Sequence, residues 1–275
     1  MSCDAGHTTH ATKTITVTLD GQPKILDVPE ITPRLNRQFN MDVYDWQQYF
    51  KTEFGNQVVP IFKGYCPGQD VVSFALDVQG VWEGYETCAV LDILSEKETN
   101  NAVVDMGAHL GYYSLLAGTA GYSGLAYETD PFNLEVLAKN LALNAPKFKI
   151  INQWIDEKTP KLPDMDIHLL KCDIEGNEKH AVKMVEKLLR AKRIKYLLLE
   201  ISPCFNQSYP QLVEKVCGYG YRVYEIPHKS WEHTKEYAEQ PLKLLKQYCE
   251  IPKAGRRGYV ASLHQENFVF IREEA

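Results

Sequence analysis

Val103-Val104-Asp105-Met106-Gly107-Ala108-His109-Leu110-Gly111-Tyr112-Tyr113 is the stretch that decides the fold of this chain. The apolar run ending at Met106 reads as a short strand buried on both faces, as parallel strands are. Gly107 and Gly111 allow a sharp turn and a close approach to the backbone. A helix is predicted from Tyr112 onward, with its amide dipoles aimed back at the loop. Parallel sheets bind ligands at the carboxyl ends of their strands, beside the point where strand order reverses. A dinucleotide fingerprint, G-x-G-x-x-G, would need glycine where His109 and Tyr112 stand. The pattern is instead D-x-G-x-x-x-G, and close approach to a pyrophosphate is poorly provided for.

A cofactor with a small amino-acid tail suits this loop better, and S-adenosylmethionine is the one expected. Asp105 is placed to take its ammonium, directly or through water. Gly107, Ala108, His109 and Gly111 would form the loop around it. An acid should end the second strand, to hold the ribose hydroxyls. Leu125-Ala126-Tyr127-Glu128 supplies it, because a carboxylate can accept from two adjacent hydroxyls. Trp82 and Glu83, ahead of the first strand, either close over the cofactor or pack. Trp154, after the third strand, could wall the adenine.

Working outward, strands and helices alternate. Helices are predicted over 86–96, 112–119, 131–144, 178–189 and 209–217, and strands over 102–106, 125–128, 148–152, 167–172, 196–201, 221–226 and 268–271. Val90, Leu91 and Leu94 mark one apolar face of the first helix. Asp130-Pro131 has the form of an N-cap followed by proline at the first helical position. The alternation predicts an α/β, Rossmann-like methyltransferase fold, a mostly parallel sheet with helices on both faces. Upstream, Thr14 to Leu19 and Lys24 to Val28 flank Asp20-Gly21 and read as a β-hairpin. Aromatic residues at Phe39, Tyr44, Trp46, Tyr49 and Phe50 then pack this piece or touch substrate. Residues 1–80 are thus expected as a hairpin and helical extension, and 81–275 as the main domain. Residues 228–265 form an insertion too long for a plain connection, either a lid or a surface helix with loops.

The net charge of −6 over 275 residues gives no general basic surface, and a nucleic-acid partner is not expected. No apolar run approaches the roughly 20 residues that span a bilayer. Met1 to Thr12 carries no signal-peptide core, and the expected location is the cytoplasm. The seven cysteines include no C-x-x-C pair, which excludes a zinc ribbon or a dithiol redox motif.

The chain resembles the FkbM family of methyltransferases. The resemblance covers roughly residues 74–203. It rests on Gly80-Val81-Trp82-Glu83 with Glu86-Thr87, on the glycine loop, on Glu128 before Pro131, and on Asn140-Leu141-Ala142-Leu143-Asn144. Most specific is Leu170-Lys171-Cys172-Asp173-Ile174-Glu175-Gly176-Asn177-Glu178, similar to the family's K-I-D-V-E-G-x-E block. Leu199-Glu200-Ile201 matches the next strand. The resemblance implies transfer of a methyl group to a hydroxyl oxygen, commonly on a sugar or glycan. His109 departs from the asparagine frequent there.

A hydroxyl is a weak nucleophile, and a base must take its proton as the new bond forms. Asp173, at the carboxyl end of the fourth strand, is the leading candidate, and it also borders the cofactor. Glu175 and Glu200 complete the catalytic set, with capping of the next helix as the other reading of Glu175. No metal is expected. Lys171 reads as structural or solvent-facing. Two other readings stand beside O-methylation of a hydroxyl-bearing small molecule or glycan: methylation of another small molecule or RNA, and a cofactor-binding partner protein without catalysis.

Overall fold

The computed structural model describes residues 12–19, 22–29, 71–72, 75, 82–96, 98, 101–144, 147–201, 209–226, 249–250 and 266–273. The aromatic stretch at 39–50 and the 228–265 insertion, except 249–250, lie outside these residues, and so do the expectations placed on them.

Strands β1 (Thr12–Leu19) and β2 (Gln22–Pro29) pair antiparallel, from Thr12 opposite Pro29 to Leu19 opposite Gln22, in the register expected of a hairpin. The remaining elements are α1 (Gly84–Leu94), β3 (Ala102–Met106), α2 (Tyr112–Thr119), β4 (Gly124–Glu128), α3 (Pro131–Asn144), β5 (Phe148–Asn152), β6 (Ile167–Cys172), α4 (Glu178–Met184), α5 (Glu186–Arg190), β7 (Ile194–Ile201), α6 (Tyr209–Gly218), β8 (Tyr221–Ile226), β9 (Cys249–Glu250) and β10 (Glu266–Arg272). The Asp130 carboxylate caps α3, accepting from the amides of Phe132 and Asn133 at 2.9 and 3.0 Å.

The main sheet has the order β5-β4-β3-β6-β7-β10-β8-β9. Strands β3 to β7 are parallel to one another. The chain steps outward from β3 through β4 to β5, then returns to β6 on the other side. Strand order therefore reverses between β3 and β6, where an open α/β sheet leaves a crevice. The fold is Rossmann-like α/β. Strand β10 runs antiparallel between β7 and β8, which the alternation of elements did not reveal. The predicted helix over 178–189 is divided at Val185, whose φ and ψ of −102° and 8° leave the helical range. Among the described residues no helix is long and apolar enough to cross a membrane.

Successive strand residues face opposite sides of a sheet. Val103, Leu169, Leu198 and Val269 pack with α1, α2 and α3 on one side. Val104, Leu170, Leu197, Leu199 and Phe270 pack with α4, α5 and α6 on the other. Helix α1 is buried more widely than one face, since all of Ala89 to Leu94 is inaccessible. Asp105, Lys171, Glu200 and Asn267 share the parity of the first set. A row of buried polar residues thus crosses β3, β6, β7 and β10 beneath α1 and α2.

Candidate active site

A cleft of about 450 Å³ opens at the carboxyl ends of β3, β4, β5 and β6, beside the reversal of strand order. Its size lies in the range of small-molecule sites, roughly 300–1,000 Å³. The glycine loop forms one wall. Gly107 and Ala108 donate their amides to the Tyr127 carbonyl at 3.0 and 2.8 Å, which ties the loop to β4. Gly107 has φ 82°, and a Cβ there would stand 1.7 Å from the carbonyl oxygen of Asp173. Glycine is required here by the next motif along the sheet, not only by the turn. The Asp173 amide donates to the Met106 carbonyl at 3.0 Å, so the two motifs are joined at their backbones. His109 and Gly111 also hold positive φ, 51° and 90°.

Glu128 lines the cleft, held by its own surroundings. Oε2 accepts from the His109 amide at 2.8 Å, and Oε1 from the amides of Thr129 and Asp130 at 2.6 and 2.8 Å. These bonds orient the carboxylate at the end of β4, where the ribose ligand was expected. Gln153, Ile155 and Trp154 follow β5 on the same cleft, and Trp154 is 62% exposed. Trp82 lines it from the start of α1, and Val71 from its rim.

Not every expected residue reaches the cleft. Gly107, Ala108, His109, Glu128, Asp173 and Glu175 line it; Asp105, Gly111, Glu83 and Glu200 are not among its lining residues. Asp105 is 1% exposed, and its Oδ2 accepts from the Ser114 hydroxyl at 2.7 Å. Strand alternation turns its side chain under α2, so of the two routes expected, direct or through water, Asp105 does not itself line the cleft. Glu83 begins α1 in a left-handed conformation and accepts from the Tyr113 hydroxyl at 2.6 Å. Glu200 is buried in the polar row, opposite Asn267 of β10. Glu175, with φ 50°, is exposed at the cleft wall. Partial desolvation against the cleft wall and the neighbouring Asp173 raise its carboxyl above the ordinary range.

Lys171 was read from the sequence as structural or solvent-facing. It is 3% exposed, lines the cleft, and its ammonium stands 3.0 Å from Asp173 Oδ2 and 4.7 Å from the centre of the Tyr113 ring. Burial opposes its charge, but the acids around it, Asp173 first, outweigh burial and raise its pKa. The available signal was a lysine in a predicted strand whose neighbours Leu169, Leu170 and Cys172 are apolar. For the acids behind it burial prevails. Burial, aided by Glu83, pushes Glu86 up to about 8, though Asn267 Nδ2 donates to it at 2.6 Å. Burial, then Asp173 and Glu83, pushes Glu200 up to about 10.

A second group of ionisable side chains lies at the opposite end of the strands. Glu96, Glu98 and His168 come close enough to share a cation. Lys195 already bridges both carboxylates, and His168 Nε2 lies 2.8 Å from the Ile93 carbonyl. This group ties the end of α1 to β6 and β7.

No family profile and no curated protein matches the chain. Solved structures to which it is similar include precorrin-6y C5,15-methyltransferase from Geobacter metallireducens, at 17% identity over 68% of this chain and 88% of that one, with a TM-score of 0.43. Another is magnesium protoporphyrin IX methyltransferase from Synechocystis with bound SAM, at 12% identity over 87% and 96%, with a TM-score of 0.45. A third is an rRNA methylase from Streptococcus thermophilus, at 14% over 66% and 93%, with a TM-score of 0.40. Likeness at this level says nothing of an acceptor.

The buried acids give the fold a pH dependence of known sign. Glu200 keeps its proton in the folded state up to about 10, while in the unfolded chain it releases it near the ordinary 4.5. Its contribution to stability is full at the acid end and is lost as pH rises through that window, because the folded state binds the extra proton. Glu200→Gln imitates the protonated form. Melting temperatures of parent and variant, compared from about pH 5 to about pH 9, should show the parent losing more stability than the variant. Parallel curves would contradict the protonated assignment.

Proposed function

We propose that this chain is an S-adenosylmethionine-dependent methyltransferase that transfers the methyl group to a hydroxyl oxygen, on a sugar or other glycan. The observation that carries the reading is the pairing, on one cleft, of an oriented carboxylate at the end of β4 with an ionic pair at the end of β6. The FkbM resemblance of the Lys171 to Glu178 block supports the choice of oxygen as acceptor.

The donor set fits the cofactor. Glu128 presents a carboxylate to two adjacent hydroxyls, and the exposed face of Trp154 is available to a planar base. The glycine loop and Trp82 form the walls between. When bound, S-adenosylmethionine supplies a methyl group on a sulfonium, open to in-line displacement. The chain's contribution is to hold the acceptor oxygen in line with that methyl, an arrangement that can supply several kcal/mol. Asp173 would accept the hydroxyl proton as the acceptor oxygen takes up the methyl group. Proton acceptance by a positioned base contributes typically about 10²–10⁴-fold. Glu175, on the same wall, would orient the acceptor, and Glu200 acts from behind by shaping the field at Asp173.

Calorimetry should show binding of S-adenosylmethionine or its demethylated product, and no binding of NAD. Glu128→Ala should weaken that binding by about 1.5–3 kcal/mol, the worth of charged hydrogen bonds. Tight NAD binding without the sulfonium cofactor would reject the reading, and unchanged affinity in a folded variant would remove Glu128 from it.

A screen of hydroxylated acceptors with methyl-labelled cofactor tests the reaction itself. With an acceptor in hand, Asp173→Asn should lower turnover about 10²-fold or more, leaving cofactor affinity nearly unchanged. Near-normal turnover would exclude Asp173 as the base. Label transferred to RNA or to nitrogen instead would favour the second enzymatic reading.

A further inference from the structure

We propose that Glu96, Glu98 and His168 form a site for one divalent transition cation of the zinc type, at the end of the sheet away from the cleft. The inference is independent of the methyltransferase reading.

Glu96 and Glu98 follow α1, and His168 lies near the start of β6. One ligand atom from each stands within 4.8 Å of the others. Acids often gather without an ion, and the imidazole separates this group from such a cluster. His168 is wholly buried, with Nε2 2.8 Å from the Ile93 carbonyl. A carbonyl oxygen only accepts, so Nε2 carries the hydrogen and Nδ1 of the neutral ring carries a lone pair. Nδ1 has no hydrogen-bond partner and faces Glu98 Oε2 at 3.5 Å. The Tyr122 ring stacks on the imidazole at 5.0 Å, and the Tyr196 ring meets it edge-on at 5.5 Å. The direction of the lone pair is therefore fixed.

Two acceptors thus face each other, and a cation is what joins such a pair. A proton would draw them to about 2.7–2.9 Å, the length of a charged N–H···O bond. Zinc binds imidazole nitrogen and carboxylate oxygen at about 2.0–2.2 Å, and two such bonds at a tetrahedral angle hold their ligand atoms about 3.4 Å apart. The observed separation is that of the metal, not of the proton. Imidazole selects zinc and its transition-metal neighbours over magnesium and calcium, which favour oxygen ligands.

Each ligand also has the outer contact that metal sites use. A ligating histidine donates its other N–H to a carbonyl or carboxylate, and ligating carboxylates are themselves hydrogen-bonded. Here the Ile93 carbonyl holds Nε2, the Tyr196 hydroxyl donates to Glu96 Oε1 at 2.6 Å, and Lys195 donates to Glu98 Oε1 at 2.5 Å. Lys195 also stands 2.8 Å from Glu96 Oε2, and Asn101 Nδ2 reaches Glu98 Oε2 at 3.4 Å. A carboxylate oxygen has lone pairs enough to serve such a donor and a cation together. Two carboxylates against one ammonium leave a negative charge over, which favours a further cation. Both glutamates are partly exposed, so water can reach the fourth position. A bound cation would pin the segment after α1 to β6, and its effect is on stability.

Calorimetry and thermal melting of the full chain, first stripped with a chelator, test this without cofactor or acceptor. One equivalent of Zn²⁺ should bind and raise the melting temperature, further as free zinc increases, and Mg²⁺ should not. Glu98→Gln and His168→Asn should abolish the rise. Tyr196→Phe removes only the outer contact to Glu96 and should weaken binding about 10–100-fold. His180→Gln changes a histidine elsewhere and should bind as the parent does. Co²⁺ should give the visible absorption of a tetrahedral nitrogen and oxygen site, lost in E98Q. A parent chain that binds no zinc would overturn the proposal, and is the result expected if a proton joins His168 to Glu98. Zinc binding that persists in folded E98Q, or that is lost in H180Q, would overturn it equally. Should H168N fail to fold, E98Q and the cobalt spectrum decide.

Discussion

A buried ammonium is the constraint around which this molecule is arranged. Lys171 lies in the central strand β6, 3% exposed, in the layer between the sheet and helices α1 and α2. The effective penalty for taking an ion out of water is several kcal/mol, and removing one partner of a buried pair costs about 3–5 kcal/mol. Asp173 meets that requirement directly, with its carboxylate 3.0 Å from the ammonium. Because the other acids around it come from β3, β7 and α1, the charge of Lys171 ties together elements far apart in the chain. The same row of side chains carries the electrostatics from the interior to the mouth of the cleft.

A second constraint keeps the two halves of the cleft in register. Gly107 leaves no room for a side chain against the Asp173 carbonyl, and the Asp173 amide bonds to the strand that precedes Gly107. The glycine loop and the segment that carries the proposed base are therefore one backbone unit. Glu128 is drawn into the same unit through the His109 amide. Shifting any of the three would displace the others, which is what a reaction with a demand for alignment requires.

Much of this was legible in the sequence. Strands β3, β5, β6 and β8 and helix α2 were delimited as the structure has them, because apolar runs bounded by glycine, asparagine or proline leave little choice of boundary. The Asp130 cap followed from residue type alone. What failed to show has physical causes. The direction of β10 is not written in its composition, since an apolar strand is equally suited to either neighbour orientation. The place of Asp105 depended on counting parity from Val103: a side chain two residues on shares its face and turns under α2 instead of into the cleft. Lys171 obeys the same count. Read alone it is a cation of no evident purpose. Read with the parity of Asp105 and Glu200 it stands in a buried row, where a lysine needs a carboxylate.

The central claim is that the cleft at the ends of β3, β4 and β6 binds the sulfonium cofactor beside Asp173. A crystal structure of the full chain with the demethylated cofactor tests it most directly. The expected result has the ribose hydroxyls on the Glu128 carboxylate, the base beside Trp154, and the sulfur facing the side of the cleft where Asp173 lies. Ligand density at another site, or a cofactor in this cleft with its sulfur turned away from Asp173, would contradict it.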